Sequence, residues 1–371
     1  MVTACNRTPT QGEPGAEAPA VISIWYSLQG HEEQEMLKQF KLINKNHPEV
    51  VIKATKVAAN GFVDKVWNLQ AGGKGPEIFI SDRAILFALY EKGAMSPVLA
   101  DNSDAYPSSL AVFTFNHQPF AAPWLTDVPL LFYRKDRITD LPVNLKEILQ
   151  KDTIAIKSLD PIIFSSWWRA EGGIISQAGV PALDSPTNSA FLNKLLYLKS
   201  QHKLVIDNQA LEQFIKGDVN YLLAWGSESI DLNQAKVSWG CVSLSSVLGK
   251  NAQALLANTI GIANSSIKTV PALESPIRLI EEELLKPEVE SSMQKASGYL
   301  PANSNCYESS QSGTFEAEAA TALANSWDLE GYALDWKLLS LQDQAWKSIA
   351  AGSNIADELA KVQKTALGNS K

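Results

Sequence analysis

Residues 77–93 read EIFISDRAILFALYEKG. EIFIS (77–81) has the length and apolar content of a buried strand, and RAILFALYEKG reads as a helix ended by Gly93. The same order recurs upstream. VISIWYS (21–27) reads as a short buried strand, and HEEQEMLKQFKLINKNHP (31–48) as an amphipathic helix. That helix has Met36, Phe40 and Ile43 at i, i+4 and i+7 and is closed by Pro48. VVIKATKV (50–57) is a second strand. In NGFVDKVWNLQAGG (60–73), Phe62, Val66 and Leu69 share a helical face, with Asn60 as cap and Gly72-Gly73 as stop. Strand–helix alternation of this kind predicts an α/β fold, a mainly parallel sheet with helices on both faces. Ligands of such sheets sit at the carboxyl ends of the strands, which directs attention to residues 27–30 and 81–83.

A second alternating block begins near residue 128. VPLLFYRKD (128–136), TIAIKS (153–158), VNYLLAW (219–225) and KVSWGCVSL (236–244) read as strands or strand-like runs. Helical segments lie between them, among them FSSWWRAEGGIISQAG (164–179) and SAFLNKLLYLKSQ (189–201). LLANTIGIAN (255–264) is apolar and contains glycine; after it the chain turns to helices up to a closing pair that runs through residue 367. Residues 6–20 carry Pro9, Gly12, Pro14, Gly15 and Pro19 with almost nothing apolar, the composition of a flexible linker.

The 371 residues suffice for two domains, and 45% hydrophobic against 19% charged residues is a globular composition. No apolar run reaches the roughly 20 residues of a membrane span. A net charge of −8 with no Lys/Arg stripe argues against a nucleic-acid partner. The three cysteines, Cys5, Cys241 and Cys306, make no CxxC pair, and the four histidines are scattered, so no metal site is expected. Cys241 and Cys306 are either a disulfide, in an oxidising compartment, or two buried free thiols. HEEQE (31–35) has Glu35 where HExxH needs histidine. The SxxK tetrapeptides at 265–268 and 292–295 lack their partner motifs, and AGGKGPE (71–77) lacks the second half of a P-loop. No catalytic set and no cofactor motif emerges.

The ten tryptophans say more. Trp67, beside Phe62 and Val66, is expected in the core. Trp25, Trp124, Trp167, Trp168 and Trp225 fall at expected strand ends or helix starts, where indole faces can stack on sugar rings while carboxylates bind hydroxyls. Trp124 and Asp127, in PWLTD, make such a pair.

Six segments in order carry a resemblance. They are GKGPEIFISDRAILFALYEKGAMSPV (73–98), PFAAPWLTDVPLLFYRKD (119–136), DPIIFSSWWRAEGG (160–173), FIKGDVNYLLAWGSESI (214–230), SGYLPAN (297–303) and SIAAGSNIADELAKVQ (348–363). Together they resemble the family 1 extracellular solute-binding proteins of bacterial ABC importers, the group that includes maltose-binding protein. The resemblance covers residue 21 to the C-terminus. It implies a two-lobe periplasmic-binding-protein fold of type II, with a ligand cleft between lobes that close by hinge motion. The N-terminal lobe would hold 21–125 and about 261–310, and the C-terminal lobe about 128–256 and 311–371. Crossings would lie near Trp124–Val128, Ala257–Gly261 and roughly 305–315. Residues 1–20 would be a lipobox remnant and linker. Val2-Thr3-Ala4-Cys5 fits a lipobox with Cys5 as the lipidated residue, although no charged and apolar signal region precedes it, which implies a native start upstream of Met1.

Carried over by position, the resemblance implies ligand contacts from Ser27, Gln29, Ser81, Asp82 and Arg83, and from Trp124 and Asp127 at the first crossing. Asp160, Phe164 and Ser165, then Trp225, Gly226 and Glu228, would come from the second lobe, with Asn258, Tyr299 and Trp336 completing the set. Ile162, Ser165 and Ser227 stand where aromatics would line a maltodextrin cleft, so a disaccharide, short oligosaccharide or glycosylated polyol suits the site better than a long chain. The implied protein is a monomer, lipid-anchored in the periplasm or on the outer face of the bacterial cytoplasmic membrane, and it passes its sugar to an ABC permease. A non-sugar solute such as a polyamine or glycerophosphodiester, and a sensing role without transport, are the alternatives.

Overall fold

The computed structural model describes residues 18–70, 72, 74–115, 117–140, 144–266, 271–327 and 333–368. The expected linker, up to residue 17, and Cys5 lie outside the described residues. The first sheet begins with β1 (Ala20–Tyr26), β2 (Val50–Lys56), β3 (Ile78–Asp82) and the short β4 (Met95–Ser96). β5 (Thr114–Phe115) and β6 (Gln118–Pro119) form a separate hairpin. β7 (Ala122–Asp127) returns to the first sheet. β8 (Pro129–Arg134) and β9 (Ile154–Ile156) open the second sheet, and β10 (Ser176–Gln177) with β11 (Val180–Pro181) make a second hairpin. β12 (Leu204–Ile206), β13 (Tyr221–Trp225) and β14 (Trp239–Val242) complete the second sheet. β15 (Ala257–Ser265) and β16 (Leu300–Pro301) complete the first.

The first sheet runs β16-β7-β15-β3-β1-β2, with β4 against β15; the second runs β12-β9-β13-β8-β14. Both are mixed rather than mainly parallel. β2, β1 and β3 are parallel, as are β12, β9 and β13, because helical crossovers join them. β15, β7 and β16 pair antiparallel, and so do β8 and β14 with their neighbours. Together the two sheets and their helices make a two-lobe α/β fold.

The cores follow from the strand pleat. On one face of the first sheet, Ile22 and Ile24 pack with Met36, Phe40 and Ile43 of the helix Gly30–Asn46. On the other, Trp25 and Phe79 pack with Phe62, Val66, Leu86 and Leu89. Successive residues of one strand thus serve opposite layers. Gly261 in β15 is required by this packing, since a Cβ there would lie 2.7 Å from the Phe113 ring. The second core gathers Phe164, Trp167, Trp168 and Phe191 with Leu338 and Trp346 from the helix Ala333–Ala350 and Leu359 from Ile355–Gly368.

The structure corrects the expected place of Trp67 in the core and decides between the two alternatives for Cys241 and Cys306. Trp67 is 48% exposed, with Lys92 Nζ 5.2 Å over its ring. It lies about 100° around the helix from Val66 and so misses the buried face. Cys241 and Cys306 are free thiols. Cys241 is buried in β14 of the second sheet, whereas Cys306 follows β16 of the first and donates to the Pro287 carbonyl at 3.5 Å. No described helix is long and apolar enough to cross a membrane.

Candidate functional site

The carboxyl ends of β1 and β3 meet where the alternation pointed. Ser27 Oγ and the buried Ser81 Oγ are 2.6 Å apart, and the Ser27 amide donates to the Ile80 carbonyl at 3.2 Å. Gln29 precedes the helix Gly30–Asn46, its amide donating to Glu32 Oε1 at 3.3 Å. Asp82 caps the next helix, Oδ1 accepting from the Ile85 amide at 3.0 Å.

Arg83, the first residue of that helix, reaches the other lobe. Its Cζ lies 4.3 Å from the ring centroid of Trp336, which belongs to the helix Ala333–Ala350, and 5.1 Å from that of Phe87. Nε donates to the Val112 carbonyl at 2.9 Å. Nη2 and Trp336 Nε1 are both buried without a hydrogen-bond partner. Among the described residues Arg83 has no ion pair. Desolvation lowers its pKa to about 10.

The lobes also meet at the end of β7. Asp127 is fully buried: Oδ1 accepts from the amides of Val128 at 3.0 Å and Ser227 at 3.1 Å, and Oδ2 from Ser227 Oγ at 2.5 Å. Burial raises its pKa to about 7, against the pull of these hydrogen bonds. The Gly226 amide donates to the Val128 carbonyl at 2.9 Å, and Gly298, at φ +77°, ends the helix Pro287–Ser297 under Ser227. A Cβ on Gly298 would collide with the Ser227 carbonyl, so this close approach requires glycine. Tyr299 beside it is half-buried; burial, then the Asp127 and Glu32 carboxylates, push its phenol up to about 12. Burial also raises Glu228, which Lys157 partly offsets.

Several expected ligand residues do not face a cleft. Trp124 is 0% exposed in the first core, its Nε1 donating to the Leu284 carbonyl at 2.8 Å. Phe164 is buried among Trp167, Phe191 and Trp346, and Ser165 Oγ accepts from the Leu255 amide at 2.8 Å. Trp167 and Trp168 are likewise core, not stacking surfaces. Asp127 has both oxygens engaged in joining the lobes. Asp160 holds its own turn, Oδ1 accepting from the Ile162 amide at 2.7 Å, and burial raises its pKa. Asn258 is exposed at φ +47° in the bulge where β15 shifts register against β7. Trp225, at the end of β13, is half-buried. The sequence marked Ser227 only as a cleft position without an aromatic and did not single out Gly298; their contacts at this junction are read from the fold, and the glycine directly after a helical run was the available signal.

A cavity of about 410 Å³ opens on the flank between Asn233 and Trp239 on one side and Gln294, Lys295 and Phe315 on the other, and none of the expected ligand residues borders it. No group of acidic, histidine or cysteine side chains that could hold a metal occurs among the described residues.

Among solved structures, the chain is similar to a cyclo/maltodextrin-binding protein complexed with maltotetraose. The TM-score is 0.78 at 16% identity, covering 95% of this chain and 98% of that one. It is also similar to the maltose/maltodextrin-binding domain MalE from Bdellovibrio bacteriovorus bound to maltotriose, with a TM-score of 0.72, 16% identity, and 95% and 99% coverage. Comparison with curated proteins yields no match. At that identity the likeness speaks for the fold, the two-lobe type II architecture of periplasmic binding proteins. Residues 35–324 match the family model described as bacterial extracellular solute-binding protein, a family of binding proteins rather than enzymes. With more than half of its length in that match, the chain belongs to the bacterial extracellular solute-binding protein family.

Proposed function

We propose that the protein captures a sugar, a disaccharide, short oligosaccharide or glycosylated polyol, by closure of its two lobes and delivers it to the permease of an ABC importer. The observation that carries this reading is the pair of groups reaching across the lobe junction: Arg83 beside Ser81 from one lobe, Trp336 from the other. Both similar structures hold maltodextrins, which supports a carbohydrate. The contacts we assign to the solute are Ser27, Gln29, Ser81, Arg83, Trp225, Glu228, Tyr299 and Trp336. The lobes divide near Val128, just before β15, and after Tyr307. Binding energy goes into closure, and the closed form presents both lobes to the permease. Cys5 behind Val2-Thr3-Ala4 is our candidate for lipid attachment outside the cytoplasmic membrane.

The test is a thermal-shift screen of the purified protein against mono- and disaccharides, glycosylglycerols, polyols, polyamines, amino acids and phosphodiesters. A ligand at 100 times its Kd adds about 2.7 kcal/mol, a shift of a few degrees in Tm. A response confined to sugars supports the proposal. A response to polyamines alone overturns the substrate, and silence across the panel from folded, ligand-free protein overturns the sugar-capture reading.

A further inference from the structure

A guanidinium is costly to desolvate, and proteins that bury one normally pair it. Arg83 is stacked between Phe87 and Trp336 with a single neutral carbonyl acceptor, and no carboxylate among the described residues lies within ion-pair distance. Its neighbour Asp82 is engaged as a helix cap. Against the same stack lies a second buried donor without an acceptor, Trp336 Nε1. Two orphaned donors, one of them charged and each from a different lobe, meet beside the strand ends where solutes of this fold bind. The missing partner is acceptor-rich and negative. We infer that the solute carries an oxyanion, a carboxylate or phosphate on a small polyhydroxy frame, received by Arg83 Nη2 and Trp336 Nε1 as the lobes close on it.

The inference rests on the cleft reading above and narrows its substrate class to acidic sugars and sugar or polyol phosphates. A carboxylate or phosphate matches the guanidinium fork and makes charge-assisted hydrogen bonds stronger than those a hydroxyl offers. Lobe opening must separate Arg83 from Trp336, and an oxyanion arriving there restores to the guanidinium the counter-charge it lacks.

Matched pairs test this on the full chain by calorimetry and thermal shift: D-glucuronate with D-glucose, D-galacturonate with D-galactose, and glycerol 3-phosphate with glycerol. At least one acid is expected to bind about tenfold or more tighter than its neutral partner. The uronates and glycerol 3-phosphate separate the carboxylate from the phosphate form. Arg83→Gln should erase that preference. Trp336→Phe, which keeps the ring and removes only Nε1, should reduce it several-fold, while Arg169→Gln leaves it intact. Equal or tighter binding of the neutral members, or an acid preference that survives Arg83→Gln, overturns the inference and leaves the capture of a sugar standing. No binding by any acid overturns the inference too; the wider screen then decides separately whether sugar capture fails with it.

Discussion

Among the described residues, two arginine–tryptophan stacks have nearly the same geometry. Arg83 lies 4.3 Å from Trp336 and Arg169 lies 4.2 Å from Trp327. Burial lowers the pKa of both guanidinium groups, and each has a buried nitrogen without a partner. Their surroundings separate them. Arg169 donates through Nη1 to the Gly173 carbonyl at 2.9 Å, four residues along its own chain. Trp327 is held by Trp168, 6.0 Å away and edge-on, and its amide donates to the Ala254 carbonyl at 2.6 Å. That stack is a strut inside one lobe. The Arg83 stack has its halves on different lobes, so it persists only while they stay together. The same pair of side chains acts as scaffold or as joint according to what holds each half.

The comparison breaks most visibly at Trp168. Trp168→Ala removes a fully buried ring that also hydrogen-bonds Asn188 Oδ1 at 2.9 Å, and should cost about 3–5 kcal/mol in chemical denaturation. A loss near that of a surface substitution would mean the strut is not rigid. A second joint, Asp127 on Ser227, should announce itself through pH. The folded protein holds the Asp127 proton up to about 7, whereas the unfolded chain releases it near 3.8. Stability from this group is therefore fully present below 3.8 and declines as pH rises toward 7, by about 1.4 kcal/mol per unit at most. Glu281, raised to about 7 by its own burial, adds a similar slope, so the difference between wild type and Asp127→Asn isolates the joint. Tm curves of identical slope would refute it.

Smaller effects sharpen the contrast between the stacks. Arg169→Gln should lower stability by about 1–2 kcal/mol through the lost stack and charged hydrogen bond. Arg83→Gln should cost less without solute, because desolvating its guanidinium offsets the contact. Denaturant midpoints decide, and the reverse order would remove the distinction. Trp67→Ala, on the exposed face under Lys92, should stay within about 0.5 kcal/mol in the same assay.

Much of the first lobe was legible. Met36, Phe40 and Ile43 did mark a buried helix face, and EIFIS became β3, because these patterns are local consequences of period. The antiparallel strands were not, since the pairing of Ile262 with Ile80 leaves no local trace. The tryptophans show the same limit. Trp124 stands in a strand covered on both faces, where no alternation tells inside from outside, and Trp67 departs from its helix face by one residue. In the site, Ser81 and Arg83 could be anticipated from their place after a strand. Ser227 could not, because its partner Asp127 is distant in sequence and only the folded chain brings them together.

The place of β15 beside β3 has a bearing on how the chain is born. Strands β1 to β3 leave the ribosome early, yet the free edge of β3 waits for Ile262 to emerge. At ordinary elongation rates that interval is roughly 10–40 s, during which the first lobe has its first three strands but an open, hydrogen-bond-hungry border, and it still lacks the helices Pro271–Leu284 and Pro287–Ser297 that pack on it. Its assembly is therefore a late event, because the second lobe is synthesised before the strand that closes the first sheet.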